Sequence, residues 1–158
     1  MPKIILGIDP GLSDTGYGII QQENKGLQLI DYGCIRTHKT LDFSDRLGII
    51  SEELKKIAKK YKPSVAAVEE LFFCKNVKTA LLVGQARGAI VVTLNGMAIP
   101  IHGFTPLEIK QAITGYGKAD KRQVQEMVKI ILRLKTIPSP DHAADALAAA
   151  ITYAHTIQ

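Results

Sequence analysis

Ile4-Ile5-Leu6-Gly7-Ile8 is apolar at every position and stops at Asp9-Pro10-Gly11. It lacks the polar–apolar alternation of a half-exposed strand. A strand of this kind is central in its sheet and covered on both faces, so the chain must build layers of helix on either side of it. Residues 15–23 and 27–37 read as two further strands around the turn Glu23-Asn24-Lys25-Gly26, giving an antiparallel meander. Phe43, Leu47, Ile50, Leu54, Ile57, Ala58 and Tyr61 then recur at spacings of three and four, one face of an amphipathic helix that Pro63 ends. Lys55, Lys56, Lys59 and Lys60 suit the negative end of its dipole.

Strand and helix alternate from there. Strand four is 64–69, a helix spans about 76–94, and strand five is 98–104. Helices follow at about 106–113 and 121–134, with the turn Gly115-Tyr116-Gly117 between them. The last helix begins near Pro138-Ser139-Pro140, with Ser139 as the expected N-cap and Pro140 at the first helical position. The stretch Leu81 to Thr93 is apolar enough to require burial on most sides, against the sheet and a second subunit. The expected fold class is α/β: a five-stranded mixed sheet, three antiparallel strands and then parallel ones, with helices on both faces.

A length of 158 residues fits one domain with a real core. No uninterrupted apolar run reaches the roughly 18 residues of a membrane span, so no membrane partner is expected. Met1-Pro2-Lys3-Ile4 enters a strand at once and is unlike a signal peptide. Cys34 and Cys74 lack metal-ligand spacing and are expected as reduced thiols in the cytoplasm. The net charge of +5 permits a polyanionic partner, and its distribution is more informative. Residues 105–136 hold seven basic side chains (Lys110, Lys118, Lys121, Arg122, Lys129, Arg133, Lys135) against three acidic ones, whereas residues 137–158 hold Asp141 and Asp145 and no Lys or Arg. A phosphate-binding surface beside a metal-binding pocket has this pattern, as does a solvated helix face.

Three acids stand where separate elements could bring them together. Asp9 ends the central strand, Glu69 ends strand four, and Asp145 lies in an Ala-rich helix otherwise almost free of charge. Asp9-Pro10-Gly11 alone reads more readily as a strand-ending turn, but the carboxyl end of a central strand is where open α/β sheets build sites. Glu69 and Glu70 point to opposite faces, so only one can join Asp9, and alternation does not say which. His142 and Asp145, at i and i+3, share a helix face. Asp141 reads as a first-turn acid that stabilises the dipole. Converging carboxylates are a natural site for divalent metal, and metal beside phosphate suggests nuclease chemistry. Phe72 and Phe73, in the loop with Lys75, are either core anchors or stacking platforms for splayed bases, the latter worth about 1–3 kcal/mol per base.

Taken together, the chain resembles the RuvC family of Holliday junction resolvases within the ribonuclease H-like fold. The resemblance rests on Gly7-Ile8-Asp9-Pro10-Gly11 with Thr15-Gly16-Tyr17-Gly18, and on Glu69-Glu70-Leu71-Phe72 followed by Lys75-Asn76. It extends to Gly84-Gln85-Ala86-Arg87-Gly88, 121–128, and His142-Ala143-Ala144-Asp145-Ala146-Leu147-Ala148. It implies Asp9, Glu69 and Asp145 as catalytic acids and metal ligands, which selects Glu69 over Glu70. His142 joins them at a position where other members carry Asp or His. Phe72 corresponds to a base-contacting aromatic, and Lys110 and Lys121 to basic residues near the scissile phosphate. Phe73, Lys75, Lys118 and Arg122 are further DNA-binding candidates. The implied cofactor is Mg²⁺ or Mn²⁺, two ions per site at about 3.5–4 Å, with Asp9 as the expected bridging ligand. The implied partners are four-way junction DNA, a second copy of the chain, and the branch-migration motor of the same pathway. An actin-like ATPase or sugar kinase shares the opening strand, but this chain has no Gly-x-x-x-x-Gly-Lys loop and only one such lobe. A non-catalytic DNA-binding module is the other alternative, and acids without metal would repel its phosphate.

Overall fold

A computed structural model describes residues 1–71 and 76–157. The elements are β1 (Lys3–Asp9), β2 (Asp14–Glu23), β3 (Gly26–Arg36), α1 (Phe43–Tyr61), β4 (Val65–Glu69), α2 (Val77–Gly96), β5 (Ile101–Phe104), α3 (Pro106–Thr114), α4 (Lys121–Ile131) and α5 (Asp141–Thr156). The sheet order is β3-β2-β1-β4-β5. β1, β2 and β3 pair antiparallel, while β4 pairs parallel to both β1 and β5. The continuous apolar strand is thus the central one, as its lack of alternation requires.

Successive side chains of β1 go to opposite layers. Ile5 joins Val65, Ala67, Phe104 and α3, α4 and α5 in one core. Leu6 and Ile8 join Ala66, Val68, Ile50, Leu54, Ile90 and Leu94 in the other, formed with α1 and α2. By this parity Asp9 falls on the α5 side, with Ile5 and Gly7. The helices are set by local chemistry. Lys62, in the left-handed region at φ 50°, closes α1 by donating its N–H to the Ala58 carbonyl. Capping boxes start α3 (Thr105 with Glu108) and α4 (Asp120 with Gln123).

Two expectations change. Pro140, not Ser139, holds the N-cap of α5, and its carbonyl accepts from the N–H groups of Ala143 and Ala144. A backbone turn does what a serine hydroxyl was expected to do. Within one chain α2 is buried along a single side only: Ala86, Ile90, Thr93 and Leu94 are covered, while Val77, Leu81 and Val92 are 71%, 62% and 73% exposed. By length and composition α2 is also long and apolar enough to cross a membrane, although no uninterrupted apolar run in it reaches that length. It nonetheless carries Lys78 and Arg87, and Ile90 and Leu94 pack it onto the sheet.

α5 lies unusually close to the sheet because glycines face it. A Cβ on Gly7 would meet the Ala146 carbonyl oxygen at 1.9 Å, and one on Gly16 would meet the His142 carbonyl oxygen at 1.9 Å. Gly16 is the partner of Asp9 in the β1–β2 register. The helix line 142–146 therefore rests in a trench beside the end of β1.

Candidate active site

Asp9, His142 and Asp145 meet at the carboxyl end of β1, with ligand-type atoms of all three within 4.8 Å of one another. The His142 ring nitrogen Nδ1 lies 2.9 Å from Asp9 Oδ2. A carboxylate accepts only, so this nitrogen carries the donated proton and Nε2 is the basic one in the neutral ring. Asp145 follows His142 by one helical turn, close to the carboxylate of Asp9. All of these side chains are on one side of the sheet.

Glu69 reaches the same place from β4. Ile8 pairs with Val68 in the parallel register, so Asp9 and Glu69 are the next neighbours on adjoining strands. Val65 and Ala67 belong to the α5-side core, and Glu69 shares their parity. Glu70 points the other way and covers Gly103. Glu69 lies outside the tight set of three, and the carboxylate of Asp9 acts on it from the neighbouring strand. Burial, then the charge of Asp9, pushes its carboxyl up to about 9. Burial and Asp9 likewise raise Asp145 to about 6, against the opposing pull of Lys121. The hydrogen bond to Asp9 raises His142, against the opposing effect of burial. Burial and mutual repulsion thus make these crowded acids hold protons more tightly than free carboxyls do. A donor set of three carboxylates and an imidazole suits a hard divalent cation that would displace those protons.

The basic candidates separate. Lys110 and Lys121 line a cleft of about 260 Å³ with Glu69, Asp145, Pro106, Ile109, Val124 and Ala148. Lys121 Nζ is 3.5 Å from Asp145 Oδ2 and 3.3 Å from Asp141 Oδ2. Arg122 instead pairs with Glu126 one turn along α4 and lines a neighbouring hollow with Thr114 and Tyr116. Lys118 is exposed in the turn before α4, outside the cleft lining. Phe72, Phe73 and Lys75, with Cys74, lie outside the described residues. Sequence reasoning missed the part played by Asp141, which receives Lys121 as well as Gln125 Nε2 at 3.2 Å. It also missed the glycine trench. A lysine in the first turn of α4, against the helix dipole, was the available signal for Asp141.

The family model for crossover junction endodeoxyribonuclease RuvC matches residues 5–153. The chain belongs to the RuvC family. Crossover junction endodeoxyribonuclease RuvC from Alkaliphilus oremlandii is 52% identical over 153 residues, covering 97% of this chain and 93% of the relative. Its counterpart from Ruminiclostridium cellulolyticum is 48% identical, covering 97% and 92%. Among solved structures, T. thermophilus RuvC in complex with Holliday junction substrate matches with a TM-score of 0.91 and 34% identity, over 97% of this chain and 93% of that one. The yeast mitochondrial Holliday junction resolvase Ydc2 shares the fold at a TM-score of 0.73 with 14% identity, over 97% of this chain and 78% of that one. The sheet described above is therefore the ribonuclease H-like sheet of RuvC nucleases, with its antiparallel strands first and its parallel strands after.

Proposed function

We propose that this chain is a metal-dependent, structure-selective endodeoxyribonuclease that resolves four-way DNA junctions by paired symmetric nicks, leaving 5′-phosphate and 3′-hydroxyl ends. One observation carries the reading: Asp9, His142 and Asp145, remote in sequence, place their ligand atoms within 4.8 Å beside a cleft lined by Lys110 and Lys121. Membership of the RuvC family, and the junction substrate bound by the T. thermophilus relative, support the choice of DNA substrate.

Asp9, Glu69, Asp145 and His142 would hold Mg²⁺, or Mn²⁺ in its place, at two ions per site. The metal supplies charge stabilisation at the phosphate and a water acidic enough to attack it near neutral pH. Asp9 orients the His142 ring through Nδ1, which leaves Nε2 as the basic nitrogen. The proton that burial and Asp9 favour on Glu69 must leave before this group can act as an anionic ligand. Lys110 and Lys121 bind the phosphate at the cleft, and Phe72, Phe73, Lys75, Lys118 and Arg122 extend the DNA surface around the junction. We assign the chain to one nuclease domain acting as a homodimer, because a near two-fold junction needs two equivalent sites. The exposed apolar side of α2 supports that contact. The setting is homologous recombination and DNA repair in the cytoplasm, alongside a branch-migration motor.

Cutting of a synthetic four-way junction, a flap and a linear duplex with Mg²⁺ tests the reading. Paired nicks confined to the junction are expected. Equal cutting of all three substrates would remove the junction selectivity. Asp9→Asn is expected to abolish cleavage and to retain junction binding.

A further inference from the structure

The first turn of α4 has an electrostatic cost that only the tertiary structure explains. Lys121 and Arg122 stand at the positive end of the helix, where the N-cap Asp120 is the local acid and is already engaged with the Gln123 N–H. Arg122 is answered by Glu126 within its own helix. Lys121 turns instead toward α5 and is shared by two carboxylates of different standing. Asp145 belongs to the acidic cluster, and its side chain is only 27% exposed. Asp141 is 66% exposed, lies outside the cluster, and is steadied by Gln125 from α4.

We propose that Lys121 is the resident counter-cation of the acidic cluster, competing with divalent metal for Asp145, and that Asp141 is the positioning residue that draws its ammonium aside when metal enters. The inference rests on the metal reading above and extends it to a step that precedes DNA. A cluster of buried carboxylates needs protons or positive charge to offset its repulsion. Before metal arrives, Lys121 is, among the described residues, the ammonium in contact with it. A divalent cation at Asp145 repels that ammonium, which then needs another partner. Asp141 offers one without returning the lysine to solvent. The ammonium stays at the cleft mouth, where an incoming phosphate meets it. Asp141 alone would add negative charge near the metal, as any nearby acid does. The proposal differs because the effect of Asp141 must run through Lys121.

Calorimetric titration of Mn²⁺ alone into the DNA-free full chain separates these cases. The proteins are wild type, Lys121→Met, Asp141→Asn and the double variant, each checked for wild-type folding by its melt. Lys121→Met is expected to bind Mn²⁺ about tenfold more tightly, because a like charge a few ångströms from the ion is gone. Asp141→Asn is expected to weaken binding about threefold, and in the Lys121→Met background to change it by less than about twofold, the mark of coupled residues. Lys121→Arg, which keeps the charge, should match wild type within about twofold. An equal effect of Asp141→Asn in both backgrounds would overturn the positioning role. Unchanged affinity in Lys121→Met would overturn the competition. Mn²⁺ binding by none of the proteins would instead sink the metal reading, and this inference with it.

Discussion

Glu69 holds its proton more tightly than a free carboxyl does, and with two neighbours it sets the pH behaviour of the metal-free protein. Its carboxyl is raised to about 9 by burial and by Asp9, Asp145 is raised to about 6, and His142 is raised by its bond to Asp9. Each of these groups binds its proton more tightly folded than unfolded. Their contribution to stability is complete below the unfolded pKa values, which begin near 4 for the acids. It is lost as the pH rises through the folded values, up to about 9 for Glu69. The metal-free melting temperature should therefore fall between about pH 5 and 9. Saturating Mg²⁺ should flatten that fall, because it replaces the protons with charge that does not titrate. Thermal melts across the range check this, and a profile unaffected by Mg²⁺ would count against the cluster as a metal site. Metal binding at pH 7 should also release protons, chiefly from Glu69, which calorimetry in buffers of different ionisation enthalpy reads directly. Cleavage should decline as the pH drops through the raised pKa of His142, since the ring must be neutral to act as a ligand. In His142→Asp that decline should move to lower pH. An unchanged acidic limb would remove His142 from the mechanism.

At the scale of elements, the site depends on how closely α5 lies on the sheet. Gly16 pairs with Asp9 and leaves space for the His142 carbonyl, while Gly7 does the same for Ala146. Gly16→Ala forces a methyl group into backbone that cannot rotate away. We expect a loss of about 1–3 kcal/mol in stability from the displaced contacts. The larger consequence is a shift of His142 and Asp145 away from Asp9, with a loss of metal affinity exceeding the loss of stability. Gly48 is the control. It lies on the exposed side of α1 with open space around its would-be Cβ. Gly48→Ala should stabilise the fold by about 0.5–1 kcal/mol through helix propensity. Urea unfolding of both variants decides the comparison. A neutral Gly16→Ala would show that α5 can rise from its trench at no cost.

For the molecule as a whole, α2 is the unfinished surface. Val77, Leu81 and Val92 are exposed, while its other side joins the core. Leu81→Glu should dissociate the proposed homodimer in sedimentation at micromolar concentration while leaving the monomer folded, and should uncouple the two nicks on a junction. A wild-type monomer under the same conditions would make paired cutting hard to sustain.

Much of this architecture was legible in the chain because it follows from short-range patterns. The non-alternating run before Asp9 required a central strand, period-two parity put Asp9 with Ile5 and Gly7, and the three-and-four spacing from Phe43 to Tyr61 required α1. The same local rules placed His142 and Asp145 on one helix face. They could not choose between Glu69 and Glu70 without the family resemblance, because that choice depends on the parallel register of β4 against β1. They assigned Asp141 to the helix dipole and missed its pairing with Lys121, which reaches it from another helix. Burial of α2 was overestimated for a related reason. Hydropathy reports how strongly a surface avoids water, not which neighbour covers it. Backbone periodicity is written into adjacent residues. The convergence of Asp9 with a helix more than a hundred residues away exists only once the glycine trench and the strand register bring the two together.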